Sequence, residues 1–244
     1  MAAALLSPLA TGQSPDNTVW TEILQTYVAT SPDGMTRFDY STMQRSEPDR
    51  AKLETYIESF ADLDFDKLSR DAQFAAWANL YNAVMVDYVI GKYPTDTIKP
   101  WYSSGPWKKI TVRAGGRDVS LDEIEHDILR KRWDEPRVHY AINCASYSCP
   151  NLRAQAWSAE GLDEALDVAA HNYINHPRGV TVQKDGDLEV SSIYKWFRED
   201  FGGNEAGVIA HLKKYADGDL AKKIAASKGI DDYEYDWSLN DTES

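Results

Sequence analysis

Cysteine is scarce in this chain: there are two in 244 residues. Both lie in one stretch, HYAINCASYSCP, at His139–Pro150. A small disulfide-stapled scaffold is therefore excluded, and a chain of this length buries a core without staples. Long apolar runs are also missing. None approaches the ~20 residues that a membrane-crossing helix needs, so no integral membrane association is expected. Positive charge is in deficit, with 26 Lys and Arg against 39 Asp and Glu and a net charge of −13. That field repels polyanions and no basic stripe offsets it, which argues against a nucleic-acid partner. There is no repeat, no low-complexity block and no linker. The opening MAAALLSPLATGQSPDN lacks a basic n-region and a cleavage signal, so residues 1–16 read as a flexible arm. Residues 17–244 then read as one domain.

What is present is ordinary for a globular protein, 43% hydrophobic and 27% charged, but rich in aromatics, with eight Trp and fourteen Tyr. Asn17 or Thr18 can cap a first helix with Trp20, Ile23, Leu24 and Tyr27 on one face. Leu53, Tyr56, Ile57 and Phe60 mark a second, over 49–60. The most apolar helix spans 71–93 and is apolar on nearly all sides, so it should be surrounded by protein. KKITVRAGGRDVS and GVTVQKDGDLEVS read as hairpins turning at Gly115–Gly116 and Asp185–Gly186. Ser120 and Glu123 form a capping box that opens a helix to about Arg132. Arg137–Asn143 alternates and reads as a strand with His139, Ala141 and Asn143 on one face. Helices follow over 159–175, 191–201, 205–215 and 220–228. The tail YEYDW alternates, as an edge strand would. The fold class expected is α+β, helix-rich around a small, mostly antiparallel sheet of four or five short strands. Within it lie a core over about 36–202 and a helical C-terminal extension over 203–244.

Cys144 ends the expected strand and begins a loop of small residues, a common place for function. A reactive thiolate needs a base, and His139 and His126 are the candidates. Glu125 falls on the apolar face of its helix, where a carboxylate is costly unless paired; it could orient an imidazole or carry a raised pKa. The plainer role is an ion pair to an arginine. Gln73, Asn79 and Asn82 interrupt the apolar helix and must find hydrogen bonds, either from loop backbone or from a reacting group. On the residues alone four readings of the cysteines stay open. They are a thiol nucleophile with a His base, a dithiol or disulfide, a metal site with His126 and His139, and a structural clasp. C-x4-C is not the redox C-x-x-C spacing, and the four residues match no familiar zinc pattern.

Five blocks then carry a family resemblance. They are FDY at Phe38–Tyr40, AWANLYNA at Ala76–Ala83, SLDEIEHDILR at Ser120–Arg130, RVHYAINCASYSCPNLR at Arg137–Arg153 and SSIYKWFREDFG at Ser191–Gly202. In that order they resemble the domain of unknown function 547 family, over most of 36–202. The resemblance implies a shared set of polar residues: Asn79, Asn82, Glu125, His126, His139, Asn143, Cys144 and Cys149. It also implies an exported location, periplasmic or secreted. The expectation drawn from both is a Cys-His hydrolase or acyltransferase on an amide or thioester, with a small molecule or peptide as partner and no cofactor. Cys144 would attack, His126 or His139 would serve as base, and Glu125 or Asn143 would hold the imidazole. Asn79, Asn82 or loop amides would steady an oxyanion. Trp77, Tyr81, Trp101 and Trp196 would wall the cleft, and Cys149 would lock the loop. Papain-like enzymes open a helix with their nucleophile, whereas Cys144 here is expected at a strand end. The alternatives are an exported, non-enzymatic binding module with a structural Cys144–Cys149 disulfide, or a Cys/His metal-binding protein.

Overall fold

The apolar spacing of the first ninety residues builds a layer of helices around one long rod. The computed structural model describes residues 15–100 and 103–243. Most of the expected N-terminal arm and Trp101 lie outside the described residues. Helix α1 (Asn17–Tyr27) buries Trp20, Ile23, Leu24 and Tyr27 as their spacing predicts. Its cap is Asp16 instead of Asn17 or Thr18, because the Asp16 carboxylate accepts from the Thr18 N–H at 2.9 Å. The antiparallel pair β1 (Val28–Thr30) and β2 (Thr36–Phe38) leads into α2 (Tyr40–Arg45) and α3 (Glu47–Glu58). Helix α4 (Arg70–Lys92) is the rod, and every residue from Phe74 to Val86 is buried. The expectation of an all-round apolar helix is met.

Strands β3 (Thr111–Ala114) and β4 (Arg117–Ser120) pair antiparallel around Gly115 and Gly116, whose φ values of 59° and 78° permit the tight turn. The capping box at Ser120 and Glu123 opens α5 (Leu121–Glu123). The helix then widens into a π-helical run over Ile124–Leu129 before closing as α6 (Arg130–Arg132). The Arg130 N–H donates to the Glu125 carbonyl, five residues back.

Arg137–Asn143 is not a strand. Val138–Ala141 forms the single helical turn α7, nucleated by N–H bonds from Val138 to Glu135 and from His139 to Pro136. All four of its residues are buried, so alternation over so few positions carried no facing information. Helix α8 (Leu162–Ile174) precedes β5 (Val180–Val182) and β6 (Leu188–Ser191), the second expected hairpin. The Ser191–Gly202 segment divides into α9 (Ile193–Trp196) and a 3₁₀ turn over Arg198–Phe201, stopped by Gly202 at φ 92°. Helices α10 (Glu205–Tyr215) and α11 (Gly218–Ala226) lead to β7 (Ile230–Glu234), which pairs parallel with β6.

The class is α+β, but among the described residues the strands fall into three small sheets of two, two and three strands instead of one. Each hairpin closes locally, whereas β7 reaches β6 across the intervening α9, α10 and α11. Among the described residues the buried apolar side chains form two clusters. One gathers α1, α3, α4, the β3–β4 hairpin and α5. The other gathers the end of α8, β5, β6, α9, α10 and α11. Helix α7 lies at their boundary, with Val138 and Ala141 in the first cluster and Tyr140 in the second.

Candidate functional site

The cysteine loop is held from below by amides. Asn82, buried on α4, donates to the Ala141 carbonyl at 2.9 Å and accepts from the Asn143 N–H at 2.8 Å. Asn143 in turn donates to the Pro150 carbonyl at 2.6 Å and accepts from the Ala145 N–H at 2.8 Å. These bonds hold Ala145 at φ 63°, a left-handed conformation that a non-glycine residue keeps only when its surroundings over-determine it. The C-terminal segment closes the loop from outside. Asn240 N–H donates to the Ala145 carbonyl at 3.0 Å, and Tyr147 N–H donates to the Ser238 carbonyl at 2.7 Å.

Cys144 and Cys149 are joined as a disulfide, and the two sulfurs are unequal. Cys149 is 3% exposed, whereas Cys144 is only partly buried. The Cys144 N–H donates to the Cys149 sulfur at 2.9 Å. The Tyr235 hydroxyl lies 3.2 Å from Cys144 Sγ and 3.3 Å from Cys149 Sγ, and the Ser146 hydroxyl lies 3.0 Å from Cys144 Sγ.

The pair opens onto a cleft of about 220 Å³ where the two apolar clusters meet. One wall is aromatic: Trp196, Tyr235 and Trp237 contact one another at centroid distances of 4.5–5.5 Å, and Trp107 packs on Trp237 at 5.9 Å. Trp196 is 47% exposed at this wall. The other wall carries Tyr81, Asp122, Glu125, His126 and His139.

Glu125 is half-buried and lines the cleft. Burial pushes its carboxyl up to about 7, against the opposing pull of Arg130 and a hydrogen bond from the Tyr81 hydroxyl at 3.3 Å. Its other oxygen has no hydrogen-bond partner among the described residues. His139 is buried, stacked on Phe197 at 4.1 Å, and its Nε2 lies 2.6 Å from Asp200 Oδ2. Arg130 grips the same carboxylate through Nε at 2.5 Å and Nη2 at 3.0 Å. Burial works to raise the Asp200 carboxyl, but the bonds from His139 and Arg130 together outweigh it and hold it well below the usual range. Burial lowers the His139 pKa despite Asp200, so the ring stays neutral and donates its Nε2–H to an anionic Asp200.

Arg130 also donates to His126 Nδ1 at 2.9 Å. A guanidinium has no acceptor, so this bond consumes the Nδ1 lone pair and leaves the proton on Nε2, 3.7 Å from Asp122 Oδ1. His126 is thereby a donor at Nε2, its pKa lowered chiefly by burial. Glu125 and His126, adjacent in the π-helical run, both line this cleft.

Of the residues singled out from the sequence, Cys144, Cys149, Glu125, His126, His139, Tyr81 and Trp196 line one cleft. Asn79, Asn82, Asn143 and Trp77 do not line it. Asn79 exchanges two bonds with the Trp157 backbone, at 2.8 and 2.9 Å. Trp77 stacks on Phe65 at 3.8 Å. The imidazole of His139 is held by Asp200, a role expected of Glu125 or Asn143. No hydrogen bond links either imidazole to Cys144 among the described residues. Nor do three or more His, Cys, Asp or Glu side chains converge there on one metal-sized point.

Sequence reasoning missed Asp200, Arg130, Trp107, Tyr235 and Trp237. Asp200 stands inside a quoted block, yet its partners are 61 and 70 residues away. Tyr235 and Trp237 had a signal: alternation in YEYDW sets them on one side of an extended chain.

Residues 65–174 match the family described as Protein of unknown function, DUF547. The resemblance read from the motif blocks therefore holds over that span, which contains α4, the Glu125–His126 run, the cysteine loop and α8. Asp200, Trp196 and the β5–β7 sheet lie outside it. No curated protein and no solved structure matches the chain.

Proposed function

We propose that the cleft is a thiol-dependent reaction centre, in which Cys144 is the nucleophile of a hydrolase or acyltransferase acting on an amide or thioester. One observation carries this reading. The accessible sulfur of the pair shares a cleft with Glu125, a carboxyl that exchanges its proton near neutrality. The reacting form is the reduced one. Its thiolate attacks the carbonyl carbon, and the carbonyl electron pair moves to oxygen. The thiol proton passes to Glu125 or His139 and then to the departing amine or thiol. Water or an acceptor nucleophile then releases the acyl group from Cys144. The Tyr235 hydroxyl and the Nε2–H of His126 are the donors we assign to the oxyanion. The partner is a small molecule or peptide that lays a flat face on Trp196. The location we propose is periplasmic or secreted, where oxidation maintains the disulfide seen here.

The test is acylation by p-nitrophenyl acetate. Reduced protein, and a Cys149→Ser variant without reductant, should release a burst of p-nitrophenolate and carry an acetyl group on Cys144 by peptide mass spectrometry. Cys144→Ser should lose both signals. Acetylation spread over lysines, with Cys144 unlabelled in the Cys149→Ser variant, would sink the proposal. A second reading, a non-enzymatic binding module, is favoured by the disulfide itself and by the aromatic wall. It predicts that ligand binding, followed by Trp fluorescence, is unchanged in Cys144→Ser.

A further inference from the structure

The Cys144–Cys149 pair differs from a structural clasp in two respects. A clasp is buried on both sulfurs and faces packed protein. Here both cysteines line a cleft that solvent enters, Cys144 only partly buried and Cys149 3% exposed. The backbone hydrogen bond is also one-sided, in a useful direction. When a thiolate attacks one sulfur of a disulfide, the other leaves as a thiolate and must be stabilised. The buried sulfur already accepts the Cys144 backbone N–H at 2.9 Å, whereas the Tyr235 and Ser146 hydroxyls reach both sulfurs, at 3.3 and 3.5 Å from Cys149 and 3.2 and 3.0 Å from Cys144. A backbone amide cannot withdraw, so this donor is in place before the bond breaks.

We propose that this disulfide is itself a reacting group, exchanging with a thiol or dithiol reductant that enters the cleft, and that attack falls on Cys144. The reductant thiolate forms a bond to Cys144 Sγ, the Cys144–Cys149 bond breaks, and its electron pair leaves on Cys149 Sγ. A second thiol, on the same dithiol or on another molecule, then attacks the reductant sulfur of the mixed disulfide and releases Cys144 as a thiolate. The reductant is oxidised to its disulfide, two electrons pass to the protein, and the two reductant protons end on the cysteines. Glu125, sharing the cleft, is the protein group able to take and return a proton near neutrality. The exchange stands apart from the acyl chemistry proposed above, which the Cys149→Ser variant tests with no disulfide present.

The experiment uses the intact oxidised chain and reduced glutathione, quenched at intervals with iodoacetamide and read by peptide mass spectrometry. Expected is a transient species with glutathione on Cys144 and the alkyl group on Cys149. Native reduction by millimolar dithiothreitol, without denaturant, should go to completion. In the reverse direction, oxidised glutathione should modify Cys144 in Cys149→Ser roughly tenfold faster than Cys149 in Cys144→Ser. Glutathione found on Cys149, or a disulfide that yields only after urea is added, overturns the proposal. If either serine variant fails to fold by circular dichroism, the wild-type labelling pattern decides alone.

Discussion

At the scale of single residues, Glu125 ties the stability of the fold to pH. In an unfolded chain its carboxyl ionises near 4.5, whereas in the fold it holds its proton to about 7. Below pH 4.5 both states are protonated. Between 4.5 and about 7 only the unfolded chain ionises, so stability falls as pH rises and levels off above that window. Glu125→Gln should remove this slope, on the order of 2 kcal/mol, in urea titrations at pH 5 and pH 8. An unchanged slope would show the carboxyl to be solvated. Asp200 works in the opposite sense, as an anion locked between Arg130 and His139. Asp200→Asn should destabilise the fold by about 2 kcal/mol, because a partly buried guanidinium loses its charge partner. Nuclear magnetic resonance of the His139 ring would follow the accompanying change of tautomer. The unusual position of Glu125 was legible in sequence, since a carboxylate on an apolar helix face must be paired or protonated. The Asp200–His139 bond was not legible, because no local spacing encodes a contact across 61 residues.

Among the elements, periodicity was informative wherever one face is dry and the other wet. Helix α1 and the two hairpins follow their patterns for that reason. Helix α7 does not, since a short segment buried on all sides has no contrast to read. The π-helical run over Ile124–Leu129 escaped for a different reason: its apolar spacing serves a normal or a widened helix equally well. Two glycines show how element packing decides a substitution. A Cβ on Gly179, just before β5, would lie 2.1 Å from the Tyr173 carbonyl oxygen at the end of α8. Gly179→Ala should therefore cost more than about 2 kcal/mol and lower the thermal midpoint by several degrees. Gly91, near the end of α4, has nothing within 4 Å of a Cβ. Gly91→Ala should raise the midpoint, by up to about 1 kcal/mol in stability, and a fall would mean that this end of the helix is strained.

At the scale of the molecule, the segment after β7 ties distant parts together. Asn240, 1% exposed, accepts the Tyr40 hydroxyl at 2.8 Å, donates to Asn143 at 3.3 Å, and accepts the Phe38 N–H on its own carbonyl at 2.9 Å. Asn240→Ala should cost about 2–3 kcal/mol in chemical denaturation, since it strands the buried Tyr40 hydroxyl. Adding Tyr40→Phe should then cost little more, and full additivity of the two losses would refute the pairing. The class and the two hairpins β3–β4 and β5–β6 were visible from turn signals, caps and helical stripes, whereas their separation into different sheets was not. The return of the tail was not, because turn signals describe neighbours and this closure spans some two hundred residues. The same closure carries a consequence in time. Tyr235 touches sulfurs that lie 91 and 86 residues earlier in the chain. At ribosomal rates that is an interval of roughly 5–18 s in which the cysteine loop has been synthesised and its cover has not. Until then both thiols stand open to whatever oxidant or enzyme attends the nascent chain, and the cleft acquires its aromatic wall last.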